Sequence, residues 1–157
     1  MSRLLSLAVF LALVVLASWL GAQFPSGEYY ALINKPTWAP PAWLFAPVWA
    51  VLYALMALAM WRVWESGQQA RTGALAWWLI QLVFNVAWTW LFFGLTRTGW
   101  AMAELGILIG LVILCMRAFW PVSRPATWLL LPYVLWLLFA LALNFSIWSL
   151  NGGGISL

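Results

Sequence analysis

Three rows of residues place aromatic rings beside polar groups at helical spacing. Gln81, Asn85 and Thr89 recur every four residues, so they share one face of a helix, with Trp88 beside them. Trp49 and Tyr53 stand one turn apart just after Pro47. Trp136, Ala140 and Asn144 repeat that spacing, with Pro132 and Tyr133 one turn earlier. Amides and hydroxyls that hydrocarbon would penalise, set next to indoles, suit either of two arrangements: hydrogen bonds between packed helices, or a shared apolar pocket with a few orienting donors. The small side chain of Ala140, between a Trp and an Asn, leaves room beside the rings and favours the pocket.

The rest of the composition narrows the chemistry. The chain has no histidine and 15 tryptophans in 157 residues. The commonest metal ligand and the commonest general base near neutral pH are therefore both missing. There is no Ser-His-acid set, no Cys/His cluster and no glycine-rich phosphate loop, so no metal site and no required cofactor are expected. Stacking, shape and indole chemistry remain. Cys115 is the single cysteine, lies in an apolar run, and cannot form an intrachain disulfide.

With 67% hydrophobic and 6% charged residues, the chain falls outside the range of soluble domains. Apolar windows long enough for a hydrocarbon core run from about Leu4 to Gly21, Trp43 to Trp61, Ala74 to Leu95, Gly99 to Trp120 and Trp128 to Leu150. The fold class predicted is an all-α integral membrane protein: residues 1–157 form one bundle of five transmembrane helices, with residues 22–42 as a lid-like first loop. The first window also has the outline of a signal peptide, with Arg3 before it and Gly21-Ala22 near its end. Its length, and bulky Trp19 and Leu20 where cleavage needs small residues, favour a retained span.

The net charge of +4 is spread over helix ends, a pattern that sets topology and makes no nucleic-acid patch. Arg3, Arg62, Arg71, Arg117 and Arg124 fall on one side, Lys35 and Arg97 on the other. The N-terminus is accordingly expected in the cytoplasm, with the first loop and C-terminus outside. In that loop Lys35, Pro36, Trp38, Pro40 and Pro41 form a proline-stiffened segment, and with Tyr29, Tyr30 and Trp43 it reads either as a lid over the bundle mouth or as an interfacial aromatic belt. Pro40 and Pro41 suit the start of the second span. Glu104, the one acidic residue inside an apolar window, can reach the interface or Arg97; a proton-coupled transporter would also want such a carboxylate. Gly106 and Gly110 allow close helix contact, either within the chain or in a homodimer.

Taken in order, Lys35-Pro36-Thr37-Trp38-Ala39-Pro40-Pro41, Pro47-Val48-Trp49 with Tyr53, Phe84-Asn85 with Trp88, Pro132-Tyr133-Val134-Leu135-Trp136, and Leu143-Asn144-Phe145 with Trp148 resemble the signatures of the tryptophan-rich sensory protein family. That family includes the mitochondrial translocator proteins, or peripheral benzodiazepine receptors. The resemblance covers nearly the whole chain. It implies a five-helix membrane receptor or sensor, often dimeric, that binds porphyrins, cholesterol-like lipids and flat synthetic drugs, and is linked to tetrapyrrole or stress regulation. Carried over by position, the ligand site would comprise Tyr30, Trp49, Tyr53, Asn85, Trp88, Thr89, Trp136, Ala140 and Leu143. The family also implies two alternatives. One is light-dependent breakdown of protoporphyrin, with Trp49 and Trp136 as the catalytic pair; the other is transport of porphyrin or lipid. Where the family's sterol motif has a tyrosine and then a basic residue, this chain has Phe145 and Ser149, which weakens the expectation of sterol recognition. A porphyrin offers a broad π surface and two propionates; Lys35 reads either as a propionate partner or as a solvated loop lysine. With no imidazole, Cys115, tyrosine and methionine are the remaining axial donors for haem, so metal-free protoporphyrin is expected to bind at least as well.

Overall fold

The helices begin and end where side chains or prolines require it. Ser2 caps α1 (Arg3–Ala22), its hydroxyl accepting the Leu5 N–H at 3.3 Å. Pro41 precedes a single 3-10 turn, Ala42–Leu44, that runs into α3 (Phe45–Glu65). Ser123 caps α6 (Arg124–Leu129) through the Ala126 N–H. Pro132 has no N–H to donate, and its ring opposes a continuous ladder; the last span accordingly breaks at Leu130 before α7 (Leu131–Leu150). In the computed structural model, which describes residues 2–24 and 26–152, every regular element is helical. The remaining elements are α2 (Ser26–Leu32), α4 (Arg71–Thr89), a π-helical turn at Trp90–Gly94, and α5 (Thr98–Phe119). Part of the first loop is thus helical, because seven residues from Ser26 to Leu32 close their own backbone bonds.

Five segments are long and apolar enough to cross a membrane: Arg3–Ala22, Ala42–Glu65, Arg71–Gly94, Thr98–Phe119 and Arg124–Leu150. α1 packs on α3 and α4, α4 on α5, α5 on α7, and α6 returns against α3, which closes the ring. Inside it lie Met56, Met60, Val63, Trp78, Leu105, Leu108, Tyr133, Leu137 and Ile147. Outside, Leu4, Val15, Val83 and Leu135 are exposed, so the outer surface is as apolar as a bilayer requires.

Each end of the ring has its own fastening. At the basic end, Glu65 pairs with Arg3 at 3.4 Å and accepts the Ser6 hydroxyl at 2.6 Å, while Trp61 Nε1 donates to Arg3 O at 3.1 Å. Gln68 Nε2 donates to Val122 O at 3.3 Å across the same end. At the far end α1 crosses α4 where Gly21 meets Thr89; a Cβ built on the glycine would lie 3.6 Å from the Thr89 hydroxyl. The α4–α5 turn there is tight, with Thr96 in the left-handed region at φ 54°. Gly106 and Gly110 are exposed, and among the described residues nothing lies within 4 Å of a Cβ added at either, so no described helix fills that groove.

Candidate functional site

A cavity of about 360 Å³ opens at the far end between α1, α3 and α4. Its aromatic walls are Phe24, Phe45, Trp49, Tyr53, Trp88 and Phe93. Small residues complete it: Ser18, Gly21 and Ala22 from α1, with Ala42, Ala46 and Ala50 from the start of the second span. Ala46 and Ala50 are one turn apart, as are Ser18 and Ala22, and all four are exposed; the two short rows flank an opening on the side of the bundle.

A second, much smaller hollow of about 20 Å³ lies behind the first, lined by Tyr30, Phe45, Trp88, Phe92, Phe93, Ala140, Leu143 and Asn144. It is about the size of one water molecule. Phe45, Trp88 and Phe93 line both spaces and form the partition between them. Trp88 stacks on Phe92 at 5.3 Å between ring centres, and its buried Nε1–H has no acceptor among the described residues.

The polar stripe of α4 divides its work. Gln81 donates to Trp78 O within its own helix, and Trp78 Nε1 donates to Met56 O at 3.1 Å, joining α4 to α3. Asn85 is 2% exposed and bridges three spans: its Oδ1 accepts the Tyr53 hydroxyl at 2.6 Å, and its Nδ2 donates to the Tyr133 oxygen at 2.8 Å. Thr89, one turn farther, reaches the larger cavity. Helix–helix bonding and a pocket therefore occur along one stripe, at different depths.

The remaining residues named from the sequence are distributed around these spaces. Trp49, Tyr53, Trp88 and Thr89 line the larger cavity; Tyr30, Trp88, Ala140 and Leu143 line the smaller. Asn85 lies under Tyr53 and lines neither. Trp136 is one ring removed, edge-on to Phe45 at 6.0 Å and tilted against Phe139 at 5.3 Å. Asn144, with its amide turned to satisfy both groups, donates to Thr98 O at 3.0 Å and accepts from Met102 N at 3.1 Å, filling the first turn of α5.

The proline-rich segment is fastened down rather than suspended over the mouth. Trp38 meets Phe139 edge-on at 5.8 Å, and the Tyr30 hydroxyl donates to Pro40 O at 3.0 Å. No residue from 33 to 41 lines either hollow. Lys35 closes the end of α2: its Nζ donates to Tyr30 O and Ile33 O and stands over the Tyr30 ring. Burial pushes the Tyr30 phenol above its ordinary pKa of 10.0. Glu104 of α5 is buried, and neither carboxylate oxygen has a hydrogen-bond partner among the described residues. Phe145 and Ser149 are both exposed.

Sequence reasoning missed the wall supplied by α1. A run such as Ser18 to Ala22 carries no aromatic or polar stripe; only the small side chains of Ser18, Gly21 and Ala22 hint at space. Phe93 was equally hidden, because the π-helical turn shifts the helical register after Thr89.

Sequence comparison agrees with this architecture. The profile of the TspO/MBR family matches residues 7–149. The bovine translocator protein is 39% identical over 148 residues, covering 90% of this chain and 88% of the relative. The tryptophan-rich protein TspO of Chlorobaculum tepidum is 36% identical over 155 residues, covering 95% and 98%. The tryptophan-rich sensory protein of Cereibacter sphaeroides is 40% identical over 134 residues, covering 83% and 82%. With five apolar spans, an aromatic cavity between three of its helices and a family match across nearly its whole length, the chain belongs to the TspO/MBR family of multi-pass integral membrane proteins.

Proposed function

We propose that this protein is a membrane receptor or sensor that binds porphyrins, protoporphyrin among them, and other flat hydrophobic molecules in the larger cavity. The observation that carries this reading is the cavity itself: about 360 Å³, walled by Trp49, Tyr53, Trp88, Phe45 and Phe93, with small residues leaving the space open. That volume is within the usual range for small-molecule sites, and indole faces suit a macrocycle's π surface. A whole porphyrin needs more room than a compact drug. The partition of Phe45, Trp88 and Phe93 is the natural place for expansion, since turning those rings would join the two hollows. The Ser18, Tyr53 and Thr89 hydroxyls supply a few polar groups, and the unpartnered Trp88 N–H favours a ligand that carries an acceptor. The name of one relative, tryptophan-rich sensory protein, fits a sensor role.

A spectral titration of the purified protein with protoporphyrin in darkness tests the reading. Saturable binding is expected, weakened at least about tenfold by Ala46→Phe, which fills the cavity at its opening with a ring. Equal binding by the wild type and the filled variant would place the ligand elsewhere.

Light-dependent breakdown is a second reading, favoured by one observation: Trp49 lies in the cavity wall, 5.5 Å from Tyr53 and 6.1 Å from Tyr133, so oxidisable rings adjoin the space. Illuminating the titrated sample checks it. Trp49→Phe should suppress loss of bound protoporphyrin more than Trp136→Phe, because Trp136 is separated from the cavity by Phe45. Unchanged decay in both variants would leave these residues as pocket walls.

A further inference from the structure

The basic end of the bundle carries a surface that the cavity does not use. On α5, Ile113, Arg117 and Trp120 follow one another at helical spacing and are all exposed, with Leu114 exposed alongside. Across the turn into α6, the Arg124 guanidinium lies over the Trp120 ring, 5.2 Å from its centre. Trp128 meets the same ring edge-on at 6.2 Å. Two cations, two indoles and an apolar track thus form one continuous strip at the level where a span leaves the hydrocarbon.

Among the described residues no carboxylate neutralises it. The chain has three acidic residues. Glu65 is held by Arg3 and Ser6, Glu104 is buried about 20 Å back along α5, and Glu28 falls in α2 at the opposite end. Arg117 forms no hydrogen bond or ion pair among the described residues, while stacking on Trp120 already limits the freedom of Arg124.

We propose that this strip binds an anionic phospholipid, its phosphate between the Arg117 and Arg124 guanidinium groups and one acyl chain along Ile113 and Leu114. Guanidinium forks match phosphate oxygens, and a stacked guanidinium loses less freedom on binding them. Indoles such as Trp120 and Trp128 belong at headgroup depth, where one edge is wet and one face is apolar. A zwitterionic lipid brings its own cation beside the phosphate and is held less well. Free phosphate lacks the chain that fills the Ile113–Leu114 track.

The test is native mass spectrometry of the delipidated full-length protein in detergent, titrated with dioleoyl phosphatidylglycerol or dioleoyl phosphatidylcholine. The wild type should retain one phosphatidylglycerol with roughly tenfold preference over phosphatidylcholine. Arg117→Gln/Arg124→Gln should lose the preference, Arg117→Lys/Arg124→Lys should keep part of it, and Arg62→Gln, at the same end but off the strip, should keep all of it. Circular dichroism of each variant confirms a folded bundle; if the Gln pair does not fold, Trp128→Leu takes its place and should weaken retention. An equal loss in Arg62→Gln would mean diffuse charge attraction and overturn the proposal. Displacement of the lipid by millimolar inorganic phosphate would also overturn it, since the site would then read the phosphate alone.

Discussion

The Asn151 side chain grips the backbone of Asn34 from both sides, its Oδ1 accepting the Asn34 N–H at 3.0 Å and its Nδ2 donating to Asn34 O at 2.9 Å. The end of the last span therefore holds the middle of the first loop in the way one strand would hold another. A third bond, from Asn151 Nδ2 to Ile147 O at 2.7 Å, fixes the amide on its own helix. Asn151→Ala should release the loop while sparing the bundle. Amide exchange at Asn34 and Lys35 should speed up at least about fivefold, in line with roughly 1 kcal/mol per net hydrogen bond, with helical content unchanged. Unaltered exchange would mean the loop is held by Trp38 and Lys35 alone.

Asn85 joins Tyr53 to Tyr133, and removing it deprives the buried Tyr133 hydroxyl and the half-buried Tyr53 hydroxyl of this partner. Asn85→Ala is expected to destabilise the bundle by about 2–4 kcal/mol, and Tyr53→Phe by about 1–2 kcal/mol. Thermal unfolding in detergent gives both values. The double variant should lose less than the sum, because the two residues share one bond. Strict additivity would rule out the bridge.

Gly94 leaves no room for a side chain: an added Cβ would lie 2.8 Å from Phe24 Cδ1 and 2.9 Å from Trp90 Cδ1. Phe24 is also a cavity wall, so Gly94→Ala should push its ring and change ligand affinity as well as stability. A loss of about 1–3 kcal/mol is expected, largely restored by adding Phe24→Ala. No rescue in the double variant would show that Trp90, and not Phe24, sets the limit.

Tyr30 supplies a pH dependence outside the spans. Its phenol is buried, which raises its pKa above 10.0, and as a neutral donor it bonds Pro40 O. A raised native pKa means the contribution is complete below pH 10 and is lost as pH climbs through the higher native value. Phenolate absorbance, taken as the difference between wild type and Tyr30→Phe, should therefore rise above pH 10. Tyr30 ionising at or below 10 would contradict its burial.

How far the sequence reaches depends on which signals it carries locally. Five spans are legible from apolar length alone, since lipid demands a continuous run. Asn85 is legible as a buried amide because nothing else pays for such a group in an apolar helix, yet its partner Tyr133 is fixed only by helix rotation. The α1 wall is illegible: Gly21 and Ala22 acquire meaning only when Thr89 and Trp49 are brought opposite them. Trp136 shows the converse. Its spacing points inward, and α7 does carry it toward the site, but Phe45 occupies the intervening place. Lys35, read either as a propionate partner or as a solvated loop lysine, instead finds the carbonyls at the end of a helix that the proline-rich composition concealed.

The exposed pairs Ser18–Ala22 and Ala46–Ala50 place the cavity's doorway on the flank of the protein. Under the binding role proposed above, a guest arriving there would be drawn from the pool dissolved in lipid, so occupancy would answer to its mole fraction in the bilayer rather than to its aqueous concentration. Diluting the membrane at fixed protein and ligand would empty the site, and a sparingly soluble pigment would register in such a receptor long before it was measurable in water.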